Sequence, residues 1–221
     1  PAPLMASGSL TSQWGGFNLP PITMEWILMY TQFFGLSEPP FSISPNPKYL
    51  YMSERHGEAL AHLNYGLQDG GGFVLLTGEV GTGKTTVSRC LLQQLPAETE
   101  IAYILNPSLT ERDLLAAICD EFQLPYDKDA GLKLLFDLIR DHLLANLAAG
   151  KRSVVLVDEA QHLLPGVLEQ LRLLTNLETD EKKLLQVVLI GQPELQQMLR
   201  QPLLRQLAQR ITARYHLLPL S

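Results

Sequence analysis

The chain has 221 residues, 46% of them hydrophobic, with a formal net charge of -6 and an isoelectric point near 5.4. That length suits one domain whose core is large enough to stand without disulfides. The acidic balance excludes a global electrostatic footprint for a polyanion, though not a local basic patch. No uninterrupted apolar run approaches the about 18 residues needed to cross a bilayer, which predicts a soluble chain. Cys90 and Cys119 have no CxxC or Cys/His neighbour at metal-ligand spacing and read as reduced, buried helix residues; the five histidines show no zinc-binding pattern.

In chain order, the first 47 residues contain no Lys or Arg, which argues against a secretory leader with a basic start and against an Arg-rich transit peptide. Residues 1–28 mix Pro, Gly and Ser without sustained periodicity. We expect an extension there, introduced by cloning, left by processing or disordered, with Met29 as the natural start and one core domain over 29–221. A helix is expected over 53–68. Short apolar runs then alternate with helical patterns, the mark of βαβ units and a parallel sheet. Five runs read as buried strands: FVLLT (73–77), IAYIL (101–105), SVVLV (153–157), QVVLI (186–190) and RYHLL (214–218). Between them, a helix from Lys84 to Leu95 stops at Pro96, and a second opens with Thr110 and Asp113 at capping-box spacing. A third, over 131–148, places Leu135, Leu138, Ile139 and Leu143 on one core-facing side. Further helices are expected over 166–177 and 203–210.

Gly78-Glu79-Val80-Gly81-Thr82-Gly83-Lys84-Thr85, followed by Thr86, matches GxxxxGK[ST] and stands between a strand and a helix, as the mechanism requires. Glycines let successive backbone N–H groups turn inward around phosphates, and the following helix offers its unsatisfied N–H groups and positive dipole end to the same anion. Lys84 then reaches the β and γ phosphates and Thr85 ligates Mg²⁺. The fold class that follows is α/β: a P-loop NTPase with a five-stranded parallel sheet sandwiched by helices, using ATP and Mg²⁺.

Hydrolysis needs carboxylates at the end of another buried strand, and SVVLVDEAQHL supplies them. Asp158 is the candidate for the Mg²⁺ shell and Glu159 for polarising the attacking water; two acids capping a helix is the plainer alternative. Asn106 and Gln192 follow the second and fourth strands. Gln192 is a candidate contact to the γ-phosphate or the water, and Asn106 a candidate to hold Glu159 inactive. Each precedes a proline, so each also reads as a turn residue. Arg205, Arg210 and Arg214 fit either a solvated face or an arginine offered to a neighbouring subunit's nucleotide.

These motifs, in this order, resemble an AAA+ ATPase core. The stretch 29–67, MYTQFFGLSEPPFSISPNPKYLYMSERHGEALAHLNYGL, together with GEVGTGKTT, LVDEAQHL, LRLLTNLET, IGQPEL and LRQLAQRI, resembles the ATPase domain of the ExeA-like, general secretion pathway protein A family over about 29–221. Related pilus-biogenesis ATPases share much of it. The resemblance implies a domain on the cytoplasmic face of the bacterial inner membrane that self-associates into a ring and works with an inner-membrane partner protein to support type II secretin assembly. It also implies a membrane span and a peptidoglycan-binding module in longer chains. Carried onto this sequence, it gives Lys84 and Thr85 for phosphate and Mg²⁺, Asp158 and Glu159 for Mg²⁺ and water, Gln192 as sensor and Arg210, rather than Arg205, as the finger. An AAA+ core ordinarily continues into a small helical lid, whereas this sequence stops at LLPLS, so a lidless fragment with weak nucleotide binding and slow hydrolysis is expected. A transposition-type DNA-binding ATPase is the competing reading; the acidic charge and the lack of a basic stripe disfavour nucleic acid.

Overall fold

The computed structural model describes residues 32–36, 52–68, 71–105, 108–179 and 182–219. The chain divides into two compact units, Pro1–Ser44 and Pro45–Ser221. Of the first, the described residues form a short turn in which the Phe33 and Phe34 rings meet edge-on with centroids 5.0 Å apart. The proposed start at Met29 lies outside the described residues.

The second unit runs α1 (Glu54–Gln68), β1 (Gly72–Gly78), α2 (Lys84–Gln94), β2 (Thr99–Ile104), α3 (Glu111–Glu121), α4 (Leu132–Ala148), β3 (Arg152–Val157), α5 (Pro165–Leu174), β4 (Gln186–Gly191), α6 (Pro193–Leu199), α7 (Arg205–Ala208) and β5 (Ile211–Leu217). The five strands form one parallel sheet in the order β2-β3-β4-β1-β5. Strands buried on both faces need consecutive apolar residues rather than alternate ones, and Phe73 to Leu76 of β1, Val154 to Val157 of β3 and Val187 to Ile190 of β4 supply them. Alternate side chains feed two cores. Phe73, Leu75, Val155, Val157, Val187 and Leu189 pack with the leucines of α3, α4 and α5. Val74, Leu76, Val154, Leu156, Val188 and Ile190 pack with Leu60, Leu63, Val87 and Leu91 of α1 and α2. The result is a three-layer α/β sandwich, as the alternating pattern requires. Gly66 lets α1 lie close against the sheet: a Cβ there would stand 2.7 Å from the Cβ of Ala213 and 2.8 Å from a Val74 methyl.

Register aligns the strand ends that carry polar residues. Leu75 pairs with Leu189, and Leu189 with Val157, so Asp158 and Glu159 leave β3 level with the end of β1, where Thr77 pairs with Gly191. Three strand ends thus converge where the glycine loop begins.

Several elements differ from expectation. The last strand starts at Ile211, not Arg214, and its burial alternates, with Thr212, Arg214 and His216 exposed. An edge strand covered on one face carries polar residues at alternate positions, so its apolar signal is diluted. Residues 193–199, for which the sequence suggests no element, form α6 with Pro193 in its first turn, where proline's missing N–H costs nothing. The helix expected over 203–210 is a 3₁₀ turn, Pro202–Leu204, followed by the four-residue α7. The helix expected to reach 177 ends at Leu174.

Candidate nucleotide-binding site

The glycine loop leaves β1 and enters α2 with the geometry phosphate binding demands. Gly81 and Gly83 have φ of 81° and 91°, which L side chains rarely adopt. Gly83 occupies the cap position of α2 and offers no side-chain acceptor, so the first-turn N–H groups have no side-chain cap. No acid lies in that first turn, and the dipole's positive end is left for an external anion. Glu79 O gathers the loop inward, accepting from Thr82 N at 3.3 Å, Thr82 Oγ1 at 2.9 Å and Lys84 Nζ at 2.9 Å. Lys84 is only 6% exposed, so its ammonium is held inside the loop rather than on an open surface.

The acidic strand end meets the loop. Thr85 Oγ1 donates to Asp158 Oδ2 at 3.2 Å, and Asp158 is 4% exposed. A buried carboxylate must be fully hydrogen-bonded to be tolerated, and Asp158 is: Oδ2 also accepts from the Tyr103 hydroxyl at 3.3 Å, and Oδ1 from the Glu159 N–H at 2.9 Å. Burial, and then the Asp158 charge, push the Tyr103 phenol above its ordinary value, so it stays a donor. A threonine hydroxyl and a carboxylate are hard oxygen donors, the chemistry Mg²⁺ prefers.

Glu159 adopts φ 53°, ψ 37°, the left-handed region, at a cost of about 1–3 kcal/mol for a side chain other than glycine. Polar contacts on both backbone and carboxylate hold it there, among them the His162 N–H to its carbonyl at 3.0 Å. Besides its N–H bond to Asp158, its Oε2 accepts from Gln161 Nε2 at 2.6 Å and from Gln192 Nε2 at 3.3 Å. The Gln161 hydrogen bond is the main reason its carboxyl sits below the ordinary value, with Gln192 and the Lys84 charge adding to it against burial. Both side-chain bonds fall on Oε2, leaving Oε1 to accept from a water. Gln161 in turn takes the Gln192 N–H on Oε1 at 3.0 Å. It lies so close to β4 that a Cβ on Gly191 would stand 2.7 Å from that same oxygen. The glycine before Gln192 therefore makes room for the amide that holds Glu159.

The structure brings together Gly78 to Thr85, Asp158, Glu159 and Gln192 at one end of the sheet. Gln192 contacts Glu159 itself, which the sequence reading did not anticipate. Asn106, expected to hold Glu159, lies outside the described residues; among those described, Gln161 and Gln192 do so. Arg210 precedes β5 at the opposite end of the strands. There its guanidinium donates to Arg172 O and Thr175 Oγ1, each at 3.4 Å, and to Asn176 Oδ1, at the carboxyl end of α5. The sequence reading found no basic stripe, yet Arg200, Arg205 and Arg214 line one 560 Å³ cavity floored by Leu75 and Leu199. Tyr103 and Gln161 went unnoticed; Gln161 follows Asp158 by three residues, but Tyr103 carried no signal beyond membership of a strand.

A model of the family described as AAA domain matches residues 67–199. The chain belongs to the AAA domain family. Solved structures share the fold of this AAA domain. The ORC2 protein of Aeropyrum pernix superposes with a TM-score of 0.62 at 19% identity, over 80% of this chain and 50% of that one. Cdc6p from Pyrobaculum aerophilum gives 0.62 at 16% identity, over 80% and 47%. A Drosophila ORC bound to DNA gives 0.60 at 22% identity, over 96% and 52%. The chain spans about half the length of these proteins. The five-stranded P-loop AAA+ fold is thereby established.

Proposed function

We propose that this AAA domain binds ATP with Mg²⁺, hydrolyses it, and couples that cycle to assembly of a secretion-pathway machine at the cytoplasmic face of a bacterial inner membrane. The observation that carries the enzymatic part is the 3.2 Å contact of Thr85 with Asp158, with Glu159 tied to the same carboxylate through its N–H at 2.9 Å. Lys84 and the open start of α2 bind and orient the phosphates. Thr85 and Asp158 would hold Mg²⁺, which would supply charge neutralisation at the phosphate oxygens. Glu159, kept ionised by Gln161 and Gln192, positions water through Oε1 and takes its proton. Arg210 is the proposed finger for the nucleotide of a second copy in a ring, and to serve it must leave the end of α5.

What supports the secretion role is the likeness of 29–67 and the flanking motifs to the ExeA-like family, in which type II secretin assembly with an inner-membrane partner is the implied task. Related pilus systems belong to the same reading, and peptidoglycan contact would need a separate module. The test is ATP turnover by the purified chain with and without the cytoplasmic segment of the membrane partner encoded nearest to it. Stimulation is expected; turnover unchanged at saturating partner removes the secretion role and leaves the ATPase.

A second reading, a DNA-dependent ATPase, has one observation in its favour. From Leu195 onward the chain carries Arg200, Arg205, Arg210 and Arg214 and no Asp or Glu, against a net charge of -6 overall. Duplex binding measured at two salt concentrations separates the readings, because phosphate contacts give a steep loss of affinity with salt.

A further inference from the structure

His56, in the first turn of α1, lies outside the family-matched segment 67–199, yet the residue is 3% exposed and its ring stands against the glycine loop. Nε2 lies 3.1 Å from Thr82 O, and Nδ1 lies 2.6 Å from Ser53 Oγ. A carbonyl only accepts, so Nε2 carries the proton; in the neutral ring Nδ1 then accepts from the serine hydroxyl. Ser53 also accepts the His56 N–H at 3.4 Å and starts α1 through the Gly57 N bond to its carbonyl at 3.0 Å. One serine thus begins the helix and sets the ring's orientation.

The peptide unit joining Thr82 and Gly83 is planar and trans, so its C=O and the Gly83 N–H point in opposite directions. Tying Thr82 O to His56 therefore fixes where the Gly83 N–H points. With φ of 91° at Gly83, nothing intrinsic to glycine prevents that peptide from turning over, and a turned peptide would aim a carbonyl oxygen at the phosphates. The ring also occupies the space of a side chain at Gly83, where a Cβ would lie 2.9 Å from Nε2.

We propose that His56 is a positioning residue of the nucleotide site, a clasp on Thr82 O that holds the Gly83 N–H toward the phosphate; this rests on the nucleotide reading above. The experiment compares Mg²⁺-ATP affinity and kcat of the wild type, His56→Phe, which fills the space without a donor, and His56→Gln, which keeps an amide donor. Melting curves report the fold. His56→Phe is expected to bind ATP about tenfold more weakly, the size of one lost buried hydrogen bond, with kcat at saturation retained and His56→Gln recovering most of the affinity. Wild-type affinity in a folded His56→Phe overturns the clasp alone, as does equal weakness of the two variants, which would mean that ring packing matters and the donor does not. A wild type that binds no ATP overturns the nucleotide reading and the clasp with it. If His56→Phe does not fold, ring ¹⁵N shifts of the wild type decide: the Nε2–H tautomer, perturbed on ATP addition, supports the clasp, and the Nδ1–H tautomer or indifference to ATP refutes it.

Discussion

Helices α2 and α3 are each eleven residues long and each follows a strand, but they begin in opposite ways. Helix α3 closes its own start. Thr110 accepts from Asp113 N, and Asp113 reaches back to the Thr110 N–H, with Glu111 and Asp113 supplying negative charge in the first turn. The Thr110 hydroxyl, and then the Thr110 N–H, donate to the Asp113 carboxylate and hold it below its usual value. Helix α2 starts at a left-handed glycine with neither cap nor acid. A self-capped helix has spent its N–H groups and dipole internally, whereas an uncapped one keeps them for a ligand. Helices α4 and α5 also begin without a side-chain cap or a first-turn acid, so it is the open start together with the left-handed glycine loop ahead of it that sets α2 apart from the scaffold helices.

The comparison breaks most sharply at Lys84. Lys84→Ala should abolish detectable ATP binding while the melting temperature holds, and a fluorescent ATP analogue that binds it with unchanged affinity would return α2 to the scaffold class. Next in size is the second-copy arginine: Arg210→Ala should bind ATP yet turn over about 10³ to 10⁵ more slowly. Mixing it with Lys84→Ala subunits should restore part of the activity, and mixed oligomers as inactive as their components would exclude donation in trans. Glu159→Gln comes third, losing about 10² to 10⁴ in kcat with Mg²⁺-ATP affinity kept.

Smaller effects sharpen the contrast. Glu159 has a depressed folded pKa, so its stabilising contacts are in force above the ordinary glutamate value of 4.5 and are lost as pH falls through the lower folded value. Gln161→Leu removes the largest cause and should move the acid limb of the kcat profile upward; an unmoved limb would show that Gln161 does not tune the carboxylate. At the other helix, Thr110→Ala should cost about 1 kcal/mol in urea unfolding and leave ATP affinity unchanged. A nucleotide effect there would erase the distinction between the two starts.

The fold and the candidate phosphate loop were legible because both are written locally. GEVGTGKT and LVDEAQHL each sit on a strand end, and buried parallel strands announce themselves as unbroken apolar runs. Even the capping box at Thr110 is a four-residue signal. What escaped depends on distance in sequence. His56 meets Thr82 across 26 residues and Tyr103 meets Asp158 across 55, through an alignment that only sheet register and helix packing set. A histidine in an amphipathic helix and a tyrosine in a strand have ordinary structural uses, so nothing local marks them. The edge strand β5 was misplaced for a related reason: its exposed Thr212 and Arg214 break the apolar run that identifies central strands.

The position of β1 between β4 and β5 also bears on synthesis. Thr77, at the end of the strand that launches the glycine loop, touches Gln196, 119 residues later, and Tyr215, 138 residues later. During translation β1 therefore leaves the ribosome long before either lateral neighbour exists, with its apolar run exposed. β2 and β3 can pair first, being closer in sequence, but the strand carrying the nucleotide loop waits for the last part of the domain. Such long-range parallel pairing is slow and exposes the chain to aggregation in the interval. The ability to grip a nucleotide should consequently appear late and abruptly as the chain lengthens, once β5 emerges to complete the sheet.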